Sequence, residues 1–432
     1  MKKKLLSACL CILVVALLLP AAFSREVAAA ETRAGGSIST ATTISMGTTY
    51  PGSISASNTQ DYYKFTLATS GTLDLEFISS GMKYVYLSLY DASGAKLWES
   101  NPYWNSSTEL INAEKTFYLT SGTYYFSVRK YSSYYGSYNF RFFFASAGET
   151  FREPQGGSDN SIQDARTISI GTRYKGQLAM NDSRDFYKFT ISTSGAITLD
   201  TVTDSMKYVY LKIYDATGKE IWSRNPYWNS STEQIVFNDK VHLTSGTYYL
   251  GFIQYSSYQG NYNFEVSFAS AGESFKEAQD GSDNSIQTAR SIGLNTTYKG
   301  QIALNDQKDF YKFTLPASDT ITLSLNAYNM KYVDLYLFDS TGNQIWSKNP
   351  YWNSSTEKIT QNYQIDLTSG TYYLGVEDDG YDGNYDFKVI SKYVQAPNAV
   401  SGLKIGGRAA DALRLNWNKS ANADGYIVEQ YK

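Results

Sequence analysis

The stretch NPYWNSSTE begins at Asn101, at Asn225 and at Asn349 without a substitution. Its flanks differ: Glu99-Ser100, Ser223-Arg224 and Ser347-Lys348 precede it, and Leu110, Gln234 and Lys358 follow it. Recent duplication alone does not account for that contrast, so something constrains the nine residues. Their chemistry is that of binding. Tyr103 and Trp104, Tyr227 and Trp228, and Tyr351 and Trp352 offer flat faces that stack on a sugar ring or grip a peptide, and Asn105, Asn229, Asn353 or the closing glutamate can orient hydroxyls. Three weak sites in a row would gain avidity on a polymer. Two other readings stay open. In one, Asn-Pro opens a loop whose aromatic pair folds onto the end of a domain while Asn, Ser and Thr satisfy its backbone; in the other, the loop joins adjacent domains. Trp98, Trp222 and Trp346, on the preceding strand, are expected in the core.

Residues for catalysis are scarce. Nucleophilic catalysis through a Ser-His or Cys-His pair needs a base, and the one histidine is His242. Its counterparts one repeat away are Tyr118 and Asp366, which suggests a strand residue facing solvent. No HExxH, GxSxG or phosphate loop occurs. A glycosidase works with two carboxylates alone, but its core is not expected as three near-equal copies lacking a distinctive acidic pair. The chain therefore reads as non-enzymatic.

Lys2, Lys3 and Lys4, an apolar run from Leu5 to Leu19 and small residues beyond it have the order of a secretory signal over residues 1–30. Cleavage after Ala30 or after Ser24 fits. Leu6-Ser7-Ala8-Cys9 resembles a lipoprotein box but has almost no apolar segment before it, and is read as coincidence. Loss of residues 1–30 removes Lys2, Lys3, Lys4 and Arg25 against Glu26 and takes the formal charge from −3 to −6. Cys9 and Cys11, the only cysteines, leave with it, which excludes a disulfide scaffold and a cysteine zinc site. No block of basic residues grips phosphates, so nucleic acid is excluded as a partner. The mature chain has no expected membrane span.

The elements that must position the nine residues repeat with them, every 124 residues. Asp61-Tyr62-Tyr63-Lys64-Phe65 returns as Asp185-Phe186-Tyr187-Lys188-Phe189 and as Asp309-Phe310-Tyr311-Lys312-Phe313. A period this long encloses its own core, giving domains at 31–150, 151–274 and 275–394. The apolar pattern has period two: Leu73, Leu75 and Phe77 alternate with polar residues, as do Val85, Leu87 and Leu89 with Tyr84, Tyr86, Ser88 and Tyr90. Turns such as Asp91-Ala92-Ser93-Gly94 follow. The expected class is all-β, three tandem antiparallel β-sandwiches of about seven or eight short strands each. Tyr86 becomes Tyr210 and then Asp334, so the tyrosine-bearing face tolerates charge and is partly exposed.

The order Asp-x-Tyr-Lys-Phe, Ser-Gly-Thr-Leu, Tyr-Leu-x-Leu-Tyr-Asp-x-x-Gly, Ser-Gly-Thr-Tyr-Tyr and Gly-x-Tyr-x-Phe resembles the bacterial pre-peptidase C-terminal domain, a family similar to the collagen-binding domains of clostridial collagenases. The resemblance implies a jelly-roll-like, non-catalytic sandwich appended to secreted proteins, often peptidases, and in some members holding calcium. Calcium-binding members use an acidic segment before the first strand and an Asp-x-x-Asp ahead of the Tyr-Tyr strand. Asp159-Asn160 and Asp283-Asn284 match the first place; Asp182 with Asp185, and Asp306 with Asp309, match the second. Gly157 and Gly281 stand where a glutamate is usual, and the first repeat has Gly35-Gly36 and Asn58 instead, so no site is expected there. The alternative is that these residues cap turns. The acidic run Glu377-Asp378-Asp379-Gly380 is read as a solvated loop.

From 395 to 432 the text is similar to the start of a fibronectin type III domain, with Trp417 and Gly425-Tyr426 at early core positions. That immunoglobulin-like sandwich needs about 100 residues and is incomplete here. Either the chain is a fragment or these strands form no stable domain. The expected function is a secreted or surface-displayed bacterial protein attached to an extracellular polysaccharide or matrix protein. The accessory region of a secreted hydrolase and a passive stalk are the other readings.

Overall fold

The computed structural model describes residues 34–278, 281–392, 399–420 and 425–429. The secretory signal, its two cleavage positions and both cysteines lie outside them. The described residues cluster into two compact units, one taking the chain up to Ser158 with Lys175–Ser183 and Gln259–Asn261, the other taking Asp159–Tyr174, Arg184–Tyr258 and Tyr262 onward. Both are built from antiparallel β-sheets packed as sandwiches.

In the first unit, one sheet runs in the order Thr42–Thr43, Gln60–Leu67, Gly122–Lys130, Val85–Tyr90, Lys96–Ser100. The facing sheet runs Tyr50–Ile54, Gly136–Ser146, Gly71–Ser80, Leu110–Leu119, Trp104–Asn105. Alternation decides what lies between them. Along Gln60–Leu67 the inward positions are Asp61, Tyr63, Phe65 and Leu67, all nearly inaccessible. They meet Leu73, Leu75 and Phe77 from the other sheet. The exceptional inward residue is Asp61, a carboxylate among aromatics.

The second unit repeats the pattern. Arg290–Ser291, Lys308–Leu315, Gly370–Asp378, Val333–Phe338 and Gln344–Lys348 form one sheet of its last sandwich, and Thr297–Ile302, Gly383–Ile390, Asp319–Tyr328 and Lys358–Leu367 form the other. Strand counts exceed the expected seven or eight because two-residue edge strands are added, in parallel as with Arg290–Ser291 on Tyr311 and Lys312, or antiparallel as with Trp104–Asn105 on Ile111 and Leu110. Trp222 is buried, while Trp98 and Trp346 are half-buried against the core. Beyond 399, Lys404–Arg408 and Leu413–Asn416 form a two-stranded ribbon, and Trp417 meets Tyr426 edge-on at 5.2 Å.

His242 does not face solvent as its sequence counterparts suggest. It is 3% exposed, at the end of Val236–Leu243, where the turn bearing Asp382 covers it. Its Nδ1 lies 2.7 Å from Asp382 Oδ2, which also accepts the His242 backbone N–H at 3.0 Å, and Leu304 N donates to the His242 carbonyl at 3.1 Å. Burial alone would raise the Asp382 carboxyl, but the hydrogen bonds from His242 outweigh it and hold it below the ordinary range. A carboxylate depressed in the folded state adds stability above its unfolded pKa of about 4, and that stability is lost as pH falls through the folded value. His242→Ala is expected to cost about 2–3 kcal/mol at neutral pH, discounted because water reaches part of Asp382. Thermal unfolding followed against pH should show the difference from wild type shrinking below about pH 4.

Candidate functional site

Each copy of the nine-residue stretch splits its aromatic pair. Tyr103, Tyr227 and Tyr351 are 91%, 94% and 72% exposed. The tryptophans beside them are half-buried, and Trp104 and Trp352 pack on their hydrophobic cores. Neighbours in an extended segment point to opposite faces, so when Trp goes inward Tyr must go out. A lysine closes over each indole: Lys83 lies 4.9 Å from the Trp104 ring, Lys207 4.8 Å from Trp228 and Lys331 5.6 Å from Trp352. The indole Nε1 atoms of Trp228 and Trp352 are buried with no hydrogen-bond partner among the described residues, as fits side chains placed for packing.

The loop is then fixed by its own amides. Asn105 Oδ1 accepts the backbone N–H of Ser107 at 2.9 Å and of Thr108 at 3.2 Å; Asn229 and Asn353 accept those of Ser231 and Ser355, each at 2.9 Å. These asparagines are therefore turn-formers. Glu109, Glu233 and Glu357 close the loops at φ of 57°, 53° and 52°. Glycine or asparagine would hold this left-handed conformation at less cost, so the exposed glutamate side chain is kept against backbone strain. In the first repeat the loop borders an open depression of 680 Å³ lined by Tyr103, Trp104, Asn105, Ser106, Thr108 and Asn112.

The aspartates among the predicted metal ligands are buried. Asp159, Asp182, Asp185, Asp283, Asp306 and Asp309 are all at most 2% exposed. Asn160 is half-buried and Asn284 exposed. Asp159 and Asp185 belong to the second compact unit and Asp182 to the first. Asp159 lies 3.9 Å from Arg166 Nε, and Asp185 accepts a short hydrogen bond from Tyr262.

In the third repeat a cluster forms. Carboxylate oxygens of Glu277, Asp306 and Asp309 lie within 4.8 Å of one another, and Asp283 is buried beside Glu277. Arg290 Nε lies 3.7 Å from Asp283. Asp309 Oδ2 accepts a short hydrogen bond from Tyr385, while its Oδ1 is buried without a partner. Burial, then the charges of Glu277, Asp306 and Asp283, drives the Asp309 carboxyl far above its ordinary range. Burial and Asp306 push Glu277 up to about 8, and burial and Glu277 push Asp283 up to about 8. Hard oxygens in excess of positive charge suit calcium. A Cβ on Gly281 would stand 2.1 Å from Asp306 Oδ1 and 2.5 Å from Asn284 Oδ1, so the usual glutamate has no room there and Glu277 brings the carboxylate from four residues upstream. Glu277 was not singled out in the sequence, because it precedes the segment that the family pattern points to. The one signal was its recurrence as Glu153 and Glu277, 124 residues apart, both 4% exposed.

The first repeat meets the same need differently. Asn58, at the position of Asp306, donates its amide to Asp61 Oδ1 at 2.9 Å, and Tyr138 donates to Asp61 Oδ2 at 2.5 Å. An amide stands where the third repeat has a second acid.

Residues 307–378 match the family described as bacterial pre-peptidase C-terminal domain. Among solved structures, the pre-peptidase C-terminal domain of a collagenase from Bacillus anthracis is 29% identical, covering 23% of this chain and 93% of that one, with a TM-score of 0.20. A putative secreted protein from Eubacterium rectale is 13% identical over 54% of this chain and 81% of its own, with a TM-score of 0.18. The triple jelly roll of an archaeal virus turret is 7% identical over 77% and 82%, with a TM-score of 0.19. No helix among the described residues is long and apolar enough to cross a membrane. The match to the bacterial pre-peptidase C-terminal domain, a non-catalytic module, thus spans residues 307–378.

Proposed function

We propose that this chain is a secreted or surface-displayed, non-catalytic attachment protein of three sandwich modules. It holds an extracellular polymer, polysaccharide or matrix protein, on Tyr103, Tyr227 and Tyr351. The observation that carries this reading is the near-complete exposure of the same tyrosine in three identical loops, each anchored by a half-buried tryptophan. Packing accounts for Trp104, Trp228 and Trp352 but not for their exposed neighbours, nor for a glutamate kept at positive φ. The depression beside Tyr103 supplies polar groups for hydroxyls. In the third repeat, Glu277, Asp283, Asp306 and Asp309 would hold calcium, whose charge suits clustered buried carboxylate oxygens and which would stiffen the strand ends they occupy. A second reading, the accessory region of a secreted hydrolase, is favoured by the domain match at 307–378. A catalytic motif in a longer coding sequence would support it.

The test of attachment is retention of the full chain on insoluble polysaccharides and matrix proteins. The triple variant Tyr103→Ala/Tyr227→Ala/Tyr351→Ala should lose at least tenfold in retention on whichever polymer holds the wild type, with each exposed substitution changing stability by no more than about 0.5 kcal/mol. Trp228→Ala, by contrast, should cost about 2–3 kcal/mol in thermal unfolding. Equal retention by wild type and triple variant, or no retention on any polymer, would sink the attachment reading and favour a passive stalk. For the metal, calcium added to chelator-treated chain should raise the melting temperature, since a ligand at a hundred times its Kd stabilises by about 2.7 kcal/mol. Asp309→Asn should abolish that rise; a rise that survives it would place the ion elsewhere.

A further inference from the structure

Beside the anchored loops, the strand ends of the first and third repeats carry opposite charge at equivalent register. Tyr86 pairs with Arg129 in the first, and Asp334 with Glu377 in the third. The next residues are Lys130 and Tyr131 against Asp378 and Asp379, while the second repeat has the uncharged Ile253, Gln254 and Tyr255.

On the first face, Tyr131 contacts Tyr84 and Tyr86, each at 5.2 Å between ring centres, and the Arg129 guanidinium lies 4.1 Å over Tyr86. Tyr84 and Tyr135 are 40% and 42% exposed, with Lys130 5.4 Å from the Tyr135 ring. Glu99 neutralises Arg129 in part, but among the described residues Lys83 and Lys130 are in no ion pair. On the third face, Tyr332 is 42% exposed and contacts Tyr381. Glu377 pairs with Lys308 at 2.8 Å. Asp334 and Asp379 share the Asn349 amide, each at 2.8 Å, and Asp378 accepts the Tyr381 backbone N–H at 2.7 Å. Neutral donors hold these three aspartates, so their charge is oriented and not cancelled.

We propose that the basic tyrosine face of the first repeat docks on the acidic tyrosine face of the third repeat in a second copy of this chain. Exposed tyrosine and arginine are the side chains enriched at protein interfaces, and opposite charge selects the partner while like faces repel. Contact between two different patches is heterologous and can extend beyond a pair. The faces use other residues than the polymer-binding tyrosines, so the two proposals fail separately.

Sedimentation velocity of the full chain at tens of micromolar should show self-association that weakens at least tenfold between about 0.05 and 0.5 M salt. Arg129→Glu/Lys130→Asp installs the residues that the third repeat already bears on the same strand, so the fold should accept them, and association should be lost. Glu377→Arg/Asp378→Lys should do the same. An equal mixture of the two double variants, or one chain carrying all four changes, should associate again. Wild type that stays monomeric, or association indifferent to the swaps, overturns the proposal. So does a monomer that binds polygalacturonate through Arg129 and Lys130, which would assign the face to an anionic polymer.

Discussion

A carboxylate sealed inside a sandwich has to be answered by something, because an ionised group out of water costs several kcal/mol unless it is paired or hydrogen-bonded. Asp61, Asp185 and Asp309 are each at most 2% exposed, and the core of every repeat is arranged around that fact. One answer is shared. Tyr63 and Tyr138 meet hydroxyl to hydroxyl at 2.8 Å, as do Tyr187 with Tyr262 and Tyr311 with Tyr385 at 2.7 Å, and the second tyrosine of each pair donates to the aspartate. The chain of three side chains crosses from one sheet to the other and fixes their register. Burial, followed by the Asp309 charge at Tyr385 and by Tyr63 and then Asp61 at Tyr138, raises both hydroxyls far above their ordinary range, so they remain donors. Close approach of backbone is part of the arrangement: a Cβ on Gly52 would strike the Tyr138 ring at 2.2 Å, and one on Gly300 would strike the Tyr385 hydroxyl at 2.4 Å.

The rest of the answer differs between repeats, and there the functional differences begin. Asn58 completes the hydrogen bonding of Asp61 with a neutral amide. In the third repeat the same position is Asp306, and Glu277 and Asp283 add further buried carboxyl groups. A scaffold held by the same tyrosine pair thus carries a self-contained strand start in one copy and a cation-seeking one in another. The rigid ends that result present the loops. Tryptophan and lysine lock each loop to the sandwich, and tyrosine is left in solvent.

Much of the fold was legible in the sequence because period-two alternation is a direct consequence of strand geometry. Asp61, Tyr63 and Phe65 share a face by spacing alone, and so do Leu73, Leu75 and Phe77. The candidate sites were less legible. The nine fixed residues marked the loop, yet only the structure separates an inward Trp104 from an outward Tyr103, because an edge segment of two residues leaves no run of alternation to read. His242 misled for a related reason: its counterparts Tyr118 and Asp366 are not buried, and the turn that covers it comes from Asp382, 140 residues away. Glu277 was hidden because Gly281, at φ of 76° and crowded by Asp306, excludes the side chain that the family pattern leads one to seek.

The most direct test of this account is luminescence of terbium bound in place of calcium. Tyr385 is hydrogen-bonded to Asp309, which places its ring beside the proposed ion, so tyrosine excitation should transfer to terbium in the full chain. The account predicts sensitised emission that calcium displaces and that Asp309→Asn abolishes. Absence of sensitised emission from the wild type, or emission indifferent to Asp309, would contradict the claim that a cation answers the buried carboxylates of the third repeat.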